Sequence, residues 1–144
     1  MRASVLFLAL LLSACTAAPG PGIAVPLVPA DATPPVPSGA ITLSATPHRA
    51  AAGATMTLSL HNGSPSQAGY NLCTSRLETT AGVAVPSDRV CTLELRLLDP
   101  GASATYAYEL PARLAPGSYR FTTTVERMDS GARGTVQSNS FQVR

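Results

Sequence analysis

Few residues in this chain are equipped for covalent or acid–base chemistry: Cys15, Cys73 and Cys91, His48 and His61, and scattered serine and threonine hydroxyls. Thiols can ligate metal, exchange disulfides, act as nucleophiles or take an acyl group. The first two need close spacing, yet no Cys-x-x-Cys occurs and no histidine stands at ligand distance from a cysteine. A histidine base needs an activated hydroxyl and an orienting acid. His48 follows Pro47, His61 precedes Asn62-Gly63, and no serine lies in Gly-x-Ser-x-Gly. There is no phosphate loop and no calcium loop. The reading is a chain with no catalytic residues, no metal and no cofactor; only a deep pocket with convergent polar side chains would revive an enzyme. Asn62-Gly63-Ser64 matches a glycosylation sequon, but Asn-Gly is first a turn signal.

The elements around these residues begin with a leader. Arg2 precedes an apolar run over residues 5–12, then the small residues Ser13 and Ala14. This is the layout of a secretory signal. The run is about half the roughly 20 residues a spanning helix requires. Leu12-Ser13-Ala14-Cys15 resembles the lipobox of bacterial lipoproteins. That resemblance implies a signal peptide over residues 1–14, a diacylglycerol thioether on Cys15, cleavage before it and acylation (such as palmitate) of the new amino group. The alternative is an ordinary signal peptide cut nearby, leaving a free thiol. Three acyl chains exceed the two-signal threshold for stable anchoring. Thr16, rather than Asp, follows the cysteine. By resemblance to Gram-negative sorting this implies an outer-membrane anchor, with the domain facing the periplasm.

Residues 15–39 hold seven prolines and three glycines. Proline removes a backbone donor and disfavours helix in the residue before it. An extended spacer is expected, at roughly 3 Å per residue. Pro34-Pro35-Val36-Pro37 also resembles a proline-rich ligand, though a spacer is the simpler reading.

From residue 40 to 144 short alternating runs are separated by Gly, Pro, Asn, Asp and Ser. Strands are expected over 41–47, 54–62, 69–79, 89–101, 104–111, 117–128 and 135–144, with a turn and a short extended piece over 81–88. In 54–62, Met56, Leu58 and Leu60 share one face; in 89–101, Cys91, Leu93, Leu95 and Leu97 do so. Tyr106, Tyr108 and Leu110 align in the next run, and Tyr119, Phe121, Thr123 and Val125 in the one after. Arg76, Arg96, Arg120, Glu78 and Glu94 are expected on outward faces as cross-strand charge pairs. The fold class read from this is all-β, an antiparallel sandwich of about seven strands, with a small barrel as the alternative.

The order Leu58-Ser59-Leu60-His61-Asn62, Tyr70-Asn71-Leu72-Cys73, Leu98-Asp99-Pro100-Gly101 and Leu114-Ala115-Pro116-Gly117-Ser118-Tyr119 resembles bacterial immunoglobulin-like domains. The likeness is nearest to those of the intracellular proteinase inhibitor type, and it spans most of residues 41–144. It implies a corner at Tyr119, whose hydroxyl bonds nearby backbone. The chain lacks the tryptophan of antibody domains.

With Cys15 given to lipid, Cys73 and Cys91 form an even pair in an oxidising space, and a structural disulfide is expected. Charged residues make up 12% of the chain, lysine is absent and the net charge is +2. Clustered basic charge, the footprint of nucleic-acid binding, is missing. The functional expectation is a membrane-anchored, non-enzymatic envelope protein that binds or scaffolds another envelope protein, with no small-molecule substrate. The alternative is a proteinase inhibitor acting through a loop such as 61–69 or 129–134.

Overall fold

A computed structural model describes residues 40–144. The leader, Cys15 and the spacer lie outside the described residues. Ten strands follow in order: β1 (Ile41–Thr46), β2 (Arg49–Ala50), β3 (Thr55–Asn62), β4 (Ala68–Tyr70), β5 (Arg76–Thr79), β6 (Arg96–Leu98), β7 (Ser103–Glu109), β8 (Gly117–Arg127), β9 (Arg133–Gln137) and β10 (Phe141–Val143). β1, β3 and β7 form one antiparallel sheet with β3 in the centre. The remaining strands build a second sheet on β8. The Thr46–Pro47 peptide is cis, at the point where the chain leaves the first sheet for β2 in the second.

β8 organises the second sheet because it is long enough to take two partners on each edge. β5 pairs with its residues Tyr119–Thr122 and β4 with Val125–Arg127 along one edge. β10 pairs with Gly117–Tyr119 and β9 with Thr122–Glu126 along the other. The expected single strands over 69–79 and 135–144 are therefore each broken once. The first break is a 3-10 turn over Leu72–Thr74, capped by Asn71, whose side-chain oxygen accepts from Cys73 N. The second break is at Ser138-Asn139-Ser140. There Asn139 spends its side-chain amide on the backbone of Ala45, accepting from its N–H at 2.9 Å and donating to its carbonyl at 3.0 Å. A side chain thus takes over the edge pairing of β1 where the strand is interrupted. Joined across these breaks, the strands lie along seven lines plus the two-residue β2, which runs parallel to β10.

The two sheets pack face to face, so the barrel alternative does not apply. The distribution, β1-β3-β7 against β10/β9-β8-β5/β4-β6, is that of an immunoglobulin-like sandwich. The core is made where the alternation predicts it in β3 and β8. Met56, Leu58 and Leu60 are fully buried, and Tyr119, Phe121, Thr123 and Val125 face them from the other sheet. Phe121 stacks on Phe141 at 5.4 Å between centroids and takes the edge of Tyr108 at 4.6 Å.

The segment 89–101 departs from expectation. Only Arg96–Leu98 is strand, and the residue it buries is Leu98, of opposite parity to the expected row. Leu93 is 95% exposed, and Leu95 and Leu97 about half exposed. The register explains the inversion. Leu98 pairs with Ala68 and Leu97 with Gly69, so the even-numbered side chains turn inward. Leu95 lies over Gly69 on the outer face, so close that a Cβ at Gly69 would come within 3.0 Å of it.

The charge pairs also differ from expectation. Arg120 and Glu78 do pair across β8 and β5, at 2.7 Å, but the Glu78 side chain is only 6% exposed. Arg76–Glu78 and Arg96–Glu94 are longer contacts, 3.8 Å, between residues two apart in the chain.

Candidate binding edge

The sandwich is open along one side, where β6 ends the second sheet and β7 ends the first. Residues 80–95 cross this opening as a strap. Several contacts pin it. Thr79 N donates to Val83 O and Val85 N to Leu77 O, which closes the turn after β5. Cys73 and Cys91 are joined in a disulfide. Asn71 donates its Nδ2 to Thr92 O at 2.7 Å and to Glu94 O at 3.0 Å, so one side chain holds two strap carbonyls. Arg89 lays its guanidinium 3.4 Å from the centre of the Tyr108 ring and donates to Glu109 O at 3.3 Å. This cation–π stack ties the strap to β7, in the opposite sheet.

Two kinds of surface result. On the outer face of the second sheet, Leu93, Leu95 and Leu97 form an exposed apolar row. Asn71 takes the carbonyls of Thr92 and Glu94, two residues apart, as a neighbouring strand would. In an extended chain the backbone groups between them point away from Asn71. Between the sheets, the strap roofs two clefts. One, of about 280 Å³, is lined by Tyr70, Tyr106, Glu94 and Arg96. The other, of about 400 Å³, has Arg76, Arg89, Ser75 and Tyr108 in its walls.

The expected site residues fall in separate places. Cys73 and Cys91 anchor the strap. Tyr119 is 6% exposed at the start of β8, and its hydroxyl donates to Ala115 O at 2.8 Å, the contact of a tyrosine corner. Cys15 lies outside the described residues. His61 Nδ1 is 3.1 Å from Ser103 Oγ, both exposed on the first sheet, with no carboxylate hydrogen-bonded to the pair among the described residues. His48 Nδ1 is 3.2 Å from Asn139 Nδ2. No group of three or more His, Cys, Asp or Glu side chains converges among the described residues, and no described helix is long and apolar enough to cross a membrane. Asn62 is fully buried: it donates to Ser66 O and Leu98 O and accepts from Ser64. That makes it a turn residue, and it draws the 61–69 loop inward. The other loop, after β8, is exposed, with Arg127 paired to Asp129 at 2.8 Å; hydrogen bonding to Arg127 holds the Asp129 carboxyl below its ordinary range.

Sequence reasoning missed Arg89. As the first residue of the expected strand over 89–101, directly after Asp88, this arginine reads as a solvated strand end. Its one legible sign is the Tyr106/Tyr108 pair, two aromatic rings on one face of a strand with no other aromatic residue near in sequence.

No family model matches the chain, and no curated protein matches it. Among solved structures it is similar to the ASH / PapD-like domain of human CEP192 (PapD-like domain 7), at 15% identity and a TM-score of 0.38. That overlap covers 86% of this chain and 98% of that one. It is also similar to a ceramidase complexed with C2, at 13% identity and a TM-score of 0.37, over 73% of this chain and 18% of that one. The strand order, β1-β3-β7 against the sheet built on β8, defines the class of protein as an immunoglobulin-like β-sandwich.

Proposed function

We propose that this chain is a lipid-anchored cell-envelope protein, held at the outer membrane through acylated Cys15 and facing the periplasm. Its sandwich is a non-catalytic binding or scaffolding domain on a proline-rich spacer. The partner is an extended segment of another envelope protein, which adds as a strand beside residues 91–95 and rests apolar side chains on Leu93, Leu95 and Leu97. The observation that supports this reading is the exposed leucine row on a pinned strap, where the backbone of Leu93 makes no backbone hydrogen bond among the described residues. Strand addition uses such an edge for affinity and alternate side chains for specificity. Exposed apolar rows at sheet edges are otherwise a liability for aggregation.

Two measurements test the two halves separately. Intact-mass analysis of the native protein is expected to find residue 15 as the amino terminus, carrying diacylglycerol and an amide-linked acyl chain. An unmodified thiol or a retained leader overturns the anchor. A photo-crosslinking amino acid at position 93, in cells, is expected to give one dominant adduct with an envelope protein, lost when Leu95 is changed to Arg. Reproducible absence of an adduct at 93 and 95 overturns the docking edge.

A further inference from the structure

The cleft beneath the strap differs from its neighbours in charge. Arg76 and Arg89 line it, and no aspartate or glutamate does. The adjoining hollow shares Arg89 but adds Asp88 and Glu109, and the cleft on the other side carries Glu94 with Arg96. Arg89 has no carboxylate within ion-pair distance among the described residues.

Two polar groups in its walls are unsatisfied. Among the described residues, Ser75 is 6% exposed and its Oγ has no hydrogen-bond partner, and the Nη1 of Arg89 is buried and has none either. Buried donors left unmade are costly and uncommon, and each asks what would satisfy it. The guanidinium is held by the rings of Tyr108 at 3.4 Å and Tyr106 at 5.7 Å and by the 3.3 Å bond from Nη2 to Glu109 O, none of which uses Nη1 as a hydrogen-bond donor. Both unpartnered donors belong to residues that line this one cleft. Val85 and the Cys73–Cys91 disulfide add apolar surface to the wall, Thr74 and Ser87 add polar surface, and Leu77 and Tyr108 form a buried floor, 1% and 2% exposed.

We propose that this cleft binds a carboxylate with an apolar body. One carboxylate oxygen accepts from Arg89 Nη1 and the other from Ser75 Oγ, while the hydrocarbon part lies against Val85 and the Cys73–Cys91 disulfide. A charge-assisted bond from the guanidinium and a second from the hydroxyl suit the two oxygens of a carboxylate. A phosphate dianion would want more cationic charge than one free guanidinium supplies, since Arg76 is shared with Glu78 at 3.8 Å. The volume of about 400 Å³ is that of a small-ligand site. The proposal extends the expectation of no small-molecule substrate to a ligand that is bound and not turned over. It stands apart from docking at the leucine row, which lies on the outer face.

The carboxylate has two possible sources, a free acid or the end of a peptide chain. Calorimetric titration of the purified full-length protein separates them. The probes are 4-phenylbutyrate, its amide, and an acetylated tetrapeptide ending in leucine with a free or amidated terminus. Saturable binding is expected for one or both free carboxylates, with the matching amide at least about tenfold weaker. Arg89→Gln and Ser75→Ala are each expected to weaken binding about fivefold or more. Arg113→Gln, in the adjoining hollow, is expected to bind like the parent. If Arg89→Gln fails to fold, Ser75→Ala decides, with its thermal midpoint as the control for integrity. Binding by neither carboxylate, equal binding of acid and amide, or unchanged binding in Ser75→Ala overturns the site.

Discussion

β3 and the strap that ends in β6 carry the same pattern of alternating apolar side chains, and the two come to opposite ends. β3 lies between β1 and β7, and Met56, Leu58 and Leu60 are fully buried against the second sheet. The strap pairs on one side only, through three residues of β6, and Leu93, Leu95 and Leu97 face outward. The difference is one of neighbours. A central strand has its apolar row covered by the facing sheet, whereas an edge strand turns one row into the sandwich and leaves the other with nothing above it. Alternation assigns two faces; the position of the strand in the sheet decides which is buried.

The largest effect should come from the buried side of this contrast. Leu58→Ala removes a fully enclosed side chain at the centre of the core. A loss of about 2–5 kcal/mol is expected in urea unfolding, from lost transfer energy and the cavity left behind. A loss under about 1 kcal/mol would mean that the first sheet does not pack as described.

The strap should respond next. Replacing Cys73 and Cys91 together by serine frees a loop with a sequence separation of 18. The chain-entropy model puts the cost at roughly 3 kcal/mol. Hydrogen exchange should localise the change, with amides of 80–95 losing protection before those of β3. Uniform loss would show that the strap and the core unfold as one unit and would erase the contrast between them.

Glu78 gives a smaller, pH-dependent effect on the outer face of the same sheet. Hydrogen bonding to Arg120 holds its carboxyl below the ordinary value of 4.5, against the opposing pull of burial. A carboxyl depressed in the folded state stabilises above its unfolded pKa, and the benefit is lost as pH falls through the folded value. The parent is therefore expected to exceed Glu78→Gln by about 1 kcal/mol at neutral pH. That gap should close on acidification below pH 4.5. A gap independent of pH would point to packing instead of charge.

How far these regions were legible from sequence follows from the same physics. β3, β7 and β8 were readable because their alternation is long and their inner rows meet the other sheet. The breaks at Leu72–Thr74 and at residues 138–140 were not, because they depend on Asn71 and Asn139 finding backbone partners outside their own strand. The disulfide was legible once Cys73 and Cys91 were an even pair. Arg89 was not: what singles it out is the ring of Tyr108, supplied by a different sheet. Glu78 was misplaced for a related reason, since its cover comes from across the sheet.

The smallest expected effect sharpens the comparison most. Leu93→Ser and Leu95→Ser remove apolar groups that are 95% and 51% exposed. Surface substitutions of this kind usually change stability by less than about 0.5 kcal/mol. Leu95 should cost slightly more, because part of its side chain covers Gly69. If both variants keep the parent's urea midpoint while the crosslink from position 93 disappears, the row is retained for contact and not for folding. If instead Leu93→Ser costs as much as a core truncation, the leucines are buried in the native protein and the register of β6 is the other one, with odd-numbered side chains inward. The two results cannot both hold, because a one-residue slip exchanges every side chain between the faces.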